Sequence, residues 1–182
     1  MNYSDTQFFL FINQHHNNAL DFLTVAMSWI TEGALLWIVI FFIFLLLNKT
    51  DNKRKIILFF ANLTLSSWII NVPFKMLFFR DRPYEAIEGA RVLGRLWTNS
   101  SFPSGHMASS IAALVIIAYL FKIPLKWIII LSTLILFLGF ARIYTGMHYF
   151  SDVIGGILVG LFSSALIIWL DKQITFLNNK NI

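Results

Sequence analysis

"ARIYTGMHYFSDVIGGILVGLFSSALIIWL", residues 141–170, opens with Arg142, His148 and Asp152 and then runs from Val153 to Leu170 without a charged side chain. As a helix rising ~1.5 Å per residue, the stretch from about Tyr149 to Leu170 crosses a ~30 Å hydrocarbon core. The rest of the chain agrees with that reading. Of its 182 residues 58% are hydrophobic and 13% charged, and the mean hydropathy is +0.72, far above soluble domains. This composition points to an all-α, polytopic transmembrane helical bundle forming one domain over residues 1–182, with no room for a soluble module. The absence of cysteine excludes disulfides and thiol chemistry.

Further apolar blocks precede this one. Residues 20–47 are too long for one straight span and are interrupted by Thr31, Glu32 and Gly33. They read as a short or half-inserted helix to about Ile30, a break, and a span from about Ala34 to Leu47. The basic loop "NKTDNKRK" leads to a long helix from about Ile56 to Phe79, with Asn62, Asn71 and Pro73 inside it. Residues 80–103 form the longest polar segment. A span from Met107 to Phe121, the turn "KIPLK" and a span to about Ala141 complete the set. Five or six membrane helices are expected, with the N-terminus outside for five and inside for six. The start, Met1 to Asp5, lacks the basic region of a cleavable signal, and Phe8 to Ile12 is too short for one, so the N-terminal segment reads as an interfacial anchor.

If the spans alternate, Lys49, Lys53, Arg54, Lys55, Lys122, Lys126, Lys172 and Lys180 share one side, which the positive-inside rule makes cytoplasmic. The net charge of +5 and pI of about 9.6 then reflect topology and anionic lipid, and no nucleic-acid partner is expected. Residues 80–103 and 142–148 face outward. Arg80, Arg82, Arg91 and Arg95 contradict the charge bias there, unless something requires positive charge on that side.

The same alternation brings three polar clusters to that face. In "KMLFFRDRP", Lys75 and Arg82 are seven residues apart, two turns on one face if the helix continues. In "FPSGH", Pro103 and Ser104 read as a helix start, whose free N–H groups bind anions. His148 and Asp152 stand at i and i+4, where a carboxylate can accept the imidazole N–H and set its tautomer. Cations, a helix N-terminus and two histidines, one backed by an acid, describe a phosphate site with a nucleophile and an acid. No acidic or histidine–carboxylate cluster suggests a metal, and no cofactor is expected.

Lys75-x6-Arg82-Pro83, Pro103-Ser104-Gly105-His106 and Arg142-x5-His148-x3-Asp152 resemble, in order and spacing, the three signature motifs of the type 2 phosphatidic acid phosphatase superfamily. The match spans residues 75–152, and the flanking helices are similar to its short integral-membrane bacterial branch. The resemblance implies that His148 attacks phosphorus and forms a phosphohistidine while Asp152 orients it. It implies that His106 protonates the leaving oxygen and later activates water. Lys75, Arg82, Arg142, the Ser104 hydroxyl and the Gly105 amide would hold the phosphate oxygens without a metal. Ala141 stands where the family usually has serine, at a cost of at most one hydrogen bond. Within this superfamily the chain looks most like the undecaprenyl-diphosphate phosphatases, acting on the outer face of the cytoplasmic membrane. Phosphatidylglycerophosphate or phosphatidate is the alternative substrate. Lipid phosphate and the bilayer are the expected partners, with no obligate protein partner evident.

Competing readings are weaker. A non-catalytic lipid-phosphate binder or transporter would need only the cations, and the paired broken helices and internal symmetry of a transporter are missing from the sequence. Arg91 and Arg95 read as a solvated loop facing headgroups, with a second phosphate as the other possibility. Arg80 and Asp81 read as a loop ion pair, His15 and His16 as interfacial loop residues, Glu32 as the mark of a break, and the aromatics mostly as lipid-facing or interfacial.

Overall fold

The structure, a computed structural model, describes residues 3–48 and 52–180, with side chains as far as Asn178. Met1, Lys49 and the side chain of Lys180, which enter the signal and orientation arguments, lie outside the described residues. Every regular element among the described residues is helical: α1 Tyr3–Asn13, α2 Asn18–Ile30, α3 Leu35–Leu47, α4 Asn52–Thr64, α5 Asn71–Leu77, α6 Pro83–Ala86, α7 Gly105–Phe121, α8 Leu125–Tyr144 and α9 Phe150–Lys180. A π-helical segment, Leu65–Ile70, joins α4 to α5, so that Asn52–Leu77 is one run of 26 residues.

Among the described residues three helical runs are long and apolar enough to cross a membrane: Asn52–Leu77, Leu125–Tyr144 and Phe150–Asn178. The pair α2 and α3, bent by 55°, makes a fourth when counted as one broken span, and α7 is a shorter apolar helix. The bend falls where the sequence interrupts its apolar block. Gly33 (φ 59°) and Ala34 (φ 64°) are both left-handed there, a conformation natural for glycine and costing roughly 1–2 kcal/mol for alanine. Leu46 (81% exposed), Phe22 (74%) and Leu47 (73%) present the outward apolar surface that a bilayer would cover. The aromatics are divided in a way their composition does not reveal. Trp37, Phe41 and Phe59 are fully buried, with Phe41 and Phe59 stacked at 3.9 Å, because α3, α4 and α7 enclose them.

Polar side chains stitch the bundle internally. Asn62 Nδ2 donates to the Ala112 carbonyl and to Ser164 Oγ, both at 2.9 Å, and Trp37 Nε1 donates to Ser110 Oγ at 2.7 Å. Such bonds hold membrane helices together where burial of apolar surface contributes little. The charged ends separate clearly: Arg54 on α4 donates to Asp171 on α9 at 2.8 Å, about 30 Å of helix away from Lys75 and Asp152 respectively.

The tightest contact is α7 against α9. A Cβ at Gly156 would stand 2.4 Å from the Ser104 carbonyl oxygen, and one at Gly160 2.6 Å from that of Ala108. Glycines four apart therefore let the two backbones touch, and they set the height of the turn carrying Ser104, Gly105 and His106. Gly156→Val is expected to lower stability by about 1–3 kcal/mol through overpacking and to reduce activity. Thermal unfolding in detergent, with the exposed Leu158→Ala as control, measures it; an unchanged midpoint would show that α7 has room to move.

Candidate active site

Arg142 and His148 meet because α8 ends in a Schellman turn. Gly146 adopts φ 83°, its N–H bonds to the Ile143 carbonyl at 3.0 Å, and the N–H of Met147 bonds to the Arg142 carbonyl at 3.1 Å. The His148 N–H reaches the same carbonyl at 3.1 Å. A side chain at position 146 would stand 2.3 Å from the Arg91 carbonyl oxygen, so only glycine fits the corner. The chain then enters α9, whose first turn of backbone ties this cluster to the next one: the Asp152 carbonyl accepts from the Ser104 N–H at 3.0 Å.

Lys75 and Arg82 converge by a different route from the one their spacing predicts. The helix stops at Leu77, and Arg82 is extended (ψ 154°) at the start of α6, because the residue before a proline is pushed out of the helical region. The Arg82 side chain then reaches back. Nη1 donates to the Met147 carbonyl at 3.0 Å, Nε to the Asn99 carbonyl at 3.1 Å, and Nη2 to Asn99 Oδ1 at 2.6 Å. Lys75 Nζ donates to the Ser100 carbonyl.

A cavity of about 470 Å³ lies where these groups meet, and Lys75, Arg82, Gly105, His106, Arg142 and His148 line it. Ser104 and Asp152 stand behind this lining, each fully buried. Apolar side chains also line it, Ile38 from α3 and Phe60, Leu63, Trp68 and Val72 from the Asn52–Leu77 run, together with the α2–α3 break from Thr31 to Ala34. Arg82 and Arg142 are only 3% and 4% exposed, yet neither they nor Lys75 make an ion pair among the described residues. Arg142 Nε, Ser104 Oγ and His148 Nδ1 are buried with no hydrogen-bond partner among the described residues. Buried donors left open in this way are costly and describe a site shaped for an anion. A Cβ on Gly105 would meet only Asn71 Oδ1, at 3.7 Å, so the protein's own packing does not require glycine beside the cavity.

His148 and Asp152 are close but not hydrogen-bonded in the manner that i, i+4 spacing predicts. Nδ1 to Oδ2 is 3.5 Å, beyond a good hydrogen bond. Helix α9 begins at Phe150, so His148 precedes it, and Oδ2 instead accepts the Tyr149 N–H at 2.8 Å. Burial first, then the charges of Arg82, Arg142 and Lys75, hold the His148 imidazole well below its ordinary value of 6.5. The ring is therefore neutral at pH 7. With Nδ1 toward Asp152, its other nitrogen is left for the cavity.

Several residues take partners that local sequence does not announce. Arg80 does not pair with Asp81 but bridges Asp5 (2.8 Å) and Asp152 (2.7 Å), because α1 and the start of α9 pack on either side of it. Arg91 is not a free headgroup contact: Nη1 donates to Asp21 at 2.7 Å, and Tyr144 donates to the same carboxylate. Arg95 pairs with Glu32 at 3.1 Å, across the α2–α3 break. Asn71 and Asn99 were not among the sequence candidates. Asn71 lines the cavity one turn before Lys75, and an amide at i−4 from a lysine on an apolar helix was the available signal; Asn99 had none.

This chain is similar to proteins of one kind along most of its length. It is 29% identical over 148 residues to the undecaprenyl-diphosphatase BcrC of Bacillus subtilis, covering 81% of this chain and 72% of that one. It is 25% identical over 182 residues to a Lipid A 4'-phosphatase of Bacteroides thetaiotaomicron, covering 94% and 78%. The fold matches the crystal structure of Aquifex aeolicus LpxE with a TM-score of 0.75 at 24% identity, covering 89% and 93% of the two chains. The PAP2 superfamily model matches residues 55–176, more than half of the chain and a stretch containing all three clusters, and the chain is a member of that superfamily.

Proposed function

We propose that this PAP2 phosphatase hydrolyses a lipid diphosphate, most simply undecaprenyl diphosphate to undecaprenyl phosphate and phosphate, through a phosphohistidine. The observation that carries the reading is a cavity lined by two histidines and by three cations, Lys75, Arg82 and Arg142, that have no carboxylate partner among the described residues. The apolar side chains lining the same cavity suit a prenyl tail.

In this reading the phosphoryl group lies against the three cations, the Gly105 amide and, once the turn adjusts, the Ser104 hydroxyl. The cavity-side nitrogen of His148 attacks phosphorus as the bond to the leaving oxygen breaks, and His106 gives that oxygen a proton. Asp152 balances the positive charge that develops on the imidazole. His106 then takes a proton from water, which attacks phosphorus, and the nitrogen–phosphorus bond breaks to return His148 to its neutral form. Neither step requires a metal. The similarity to an undecaprenyl-diphosphatase supports the substrate. The clustering of Lys53, Arg54 and Lys55 at the end of the bundle remote from the cavity supports an outward-facing site in the cytoplasmic membrane. A lipid phosphomonoester is the second reading, favoured by the similarity to a Lipid A 4'-phosphatase over nearly the whole chain.

Phosphate release by purified protein, in chelator, from undecaprenyl diphosphate, phosphatidylglycerophosphate and phosphatidate separates these. Preference for the diphosphate is expected. Preference for a glycerophospholipid would keep the chemistry and change the substrate, whereas loss of activity in chelator would overturn the metal-free route.

A further inference from the structure

Asp152 has both carboxylate oxygens engaged away from the cavity. Oδ2 accepts the Tyr149 N–H at 2.8 Å, and Oδ1 accepts from Arg80 Nη1 at 2.7 Å. That guanidinium is itself held on every side. Nη1 also donates to Ser151 Oγ at 2.6 Å, Nη2 donates to Asp5 Oδ2 at 2.8 Å, and the plane lies 3.8 Å over the Tyr149 ring. Asp5 in turn accepts the Ser151 N–H at 3.1 Å and the Ser151 hydroxyl. Asp5 and Asp152 are 7% and 0% exposed, and neither Asp5 nor Arg80 lines the cavity.

Asp5 belongs to α1, which the mechanism above does not use. On that helix Asp5, Phe9 and Asn13 are the buried residues, spaced i, i+4, i+8 along one stripe, while Phe8 and Phe11 are exposed on its other side. Asn13 pins the far end of α1 by donating to the carbonyls of Arg91 (2.8 Å) and Tyr144 (2.9 Å). The buried stripe of α1 is therefore fastened at one end to Arg80 and Ser151 through Asp5 and at the other to the Arg91 and Tyr144 carbonyls through Asn13.

We propose that Asp5 and Arg80 are positioning residues for the reaction: α1 holds Arg80, Arg80 holds Asp152, and Asp152 sets the imidazole of His148. The inference rests on His148 being the nucleophile. Two physical effects contribute. Asp5 fixes the plane of a guanidinium that is 24% exposed and would otherwise turn toward solvent, so that Nη1 stays aimed at Asp152. It also makes the Asp5–Arg80–Asp152 group a net monoanion. A lone Arg80–Asp152 pair would be neutral and would stabilise the cationic phosphohistidine less.

The test uses the full-length protein in detergent, with Asp5→Asn, Asp5→Glu and Arg80→Lys. Single-turnover quenching with 32P-labelled undecaprenyl diphosphate reads the rate of phosphohistidine formation, and steady-state assays read kcat and KM. Asp5→Asn is expected to slow phosphohistidine formation and kcat about tenfold while KM and inhibition by inorganic phosphate stay within about twofold. Asp5→Glu should recover part of the rate. If Asp5→Asn does not fold, Arg80→Lys is expected to show the same split. A folded variant with wild-type phosphohistidine formation overturns the proposal, as does a loss confined to KM or phosphate affinity. A wild-type enzyme that turns over without an acid-labile phosphohistidine overturns the nucleophile assignment and this proposal together. That outcome is distinct from failure of the proposal alone, in which wild type and variants form the intermediate equally fast.

Discussion

Replacing His148 by alanine is expected to lower turnover of lipid phosphate by at least about 10³-fold, as removal of a nucleophile does elsewhere, and to remove the phosphohistidine. The imidazole is 2% exposed, in the corner formed by the Schellman turn of α8, and alanine leaves the backbone bond to Arg142 intact. Folding should survive, since the ring's buried Nδ1 has no hydrogen-bond partner among the described residues to orphan. Phosphate release at near the wild-type rate from a folded His148→Ala protein would falsify the assignment. Because burial and the neighbouring cations depress the imidazole's proton affinity, the acidic limb of the wild-type kcat/KM profile should lie below pH 6.5, with activity lost as the pH falls and the ring protonates.

Arg142→Met is expected to separate activity from stability. The guanidinium is buried with no ion-pair partner among the described residues, and its Nε is unbonded. Methionine fills similar volume without an unsatisfied charge, so the thermal midpoint should hold or rise. Turnover should fall about 10²–10³-fold, the usual loss when a preorganised donor to a developing oxyanion is removed. The protection that inorganic phosphate or vanadate confers against thermal unfolding should shrink as well. A variant that loses stability in proportion to activity would mean that Arg142 serves the fold and not the phosphate.

These expectations differ in how much of them the sequence already contains. The apolar helices were legible because each run is bounded by polar residues or a turn, with Thr31 to Gly33 breaking the first block and the turn "KIPLK" separating α7 from α8. The paired positions Arg142 and His148 were legible for the same reason: a short loop between two spans leaves them little freedom. Lys75 and Arg82 were legible as partners but not in geometry, since Pro83 removes Arg82 from the helix and a returning loop restores the meeting. Asp5 was invisible as a contributor to the site, although its buried stripe with Phe9 and Asn13 was written at helical spacing.

By itself, then, the order of residues determined an all-helical membrane protein, its main apolar runs, and the three motifs that mark its superfamily, because apolar length and residue type are local properties. Tertiary structure alone decided which charges remain open and which are spent. Arg80, Arg91 and Arg95 find Asp5 with Asp152, Asp21 and Glu32, while Lys75, Arg82 and Arg142 keep theirs for the cavity. Such pairings join residues as far apart as 75 positions, and they depend on how helix ends and loops pack in space, which no local periodicity encodes.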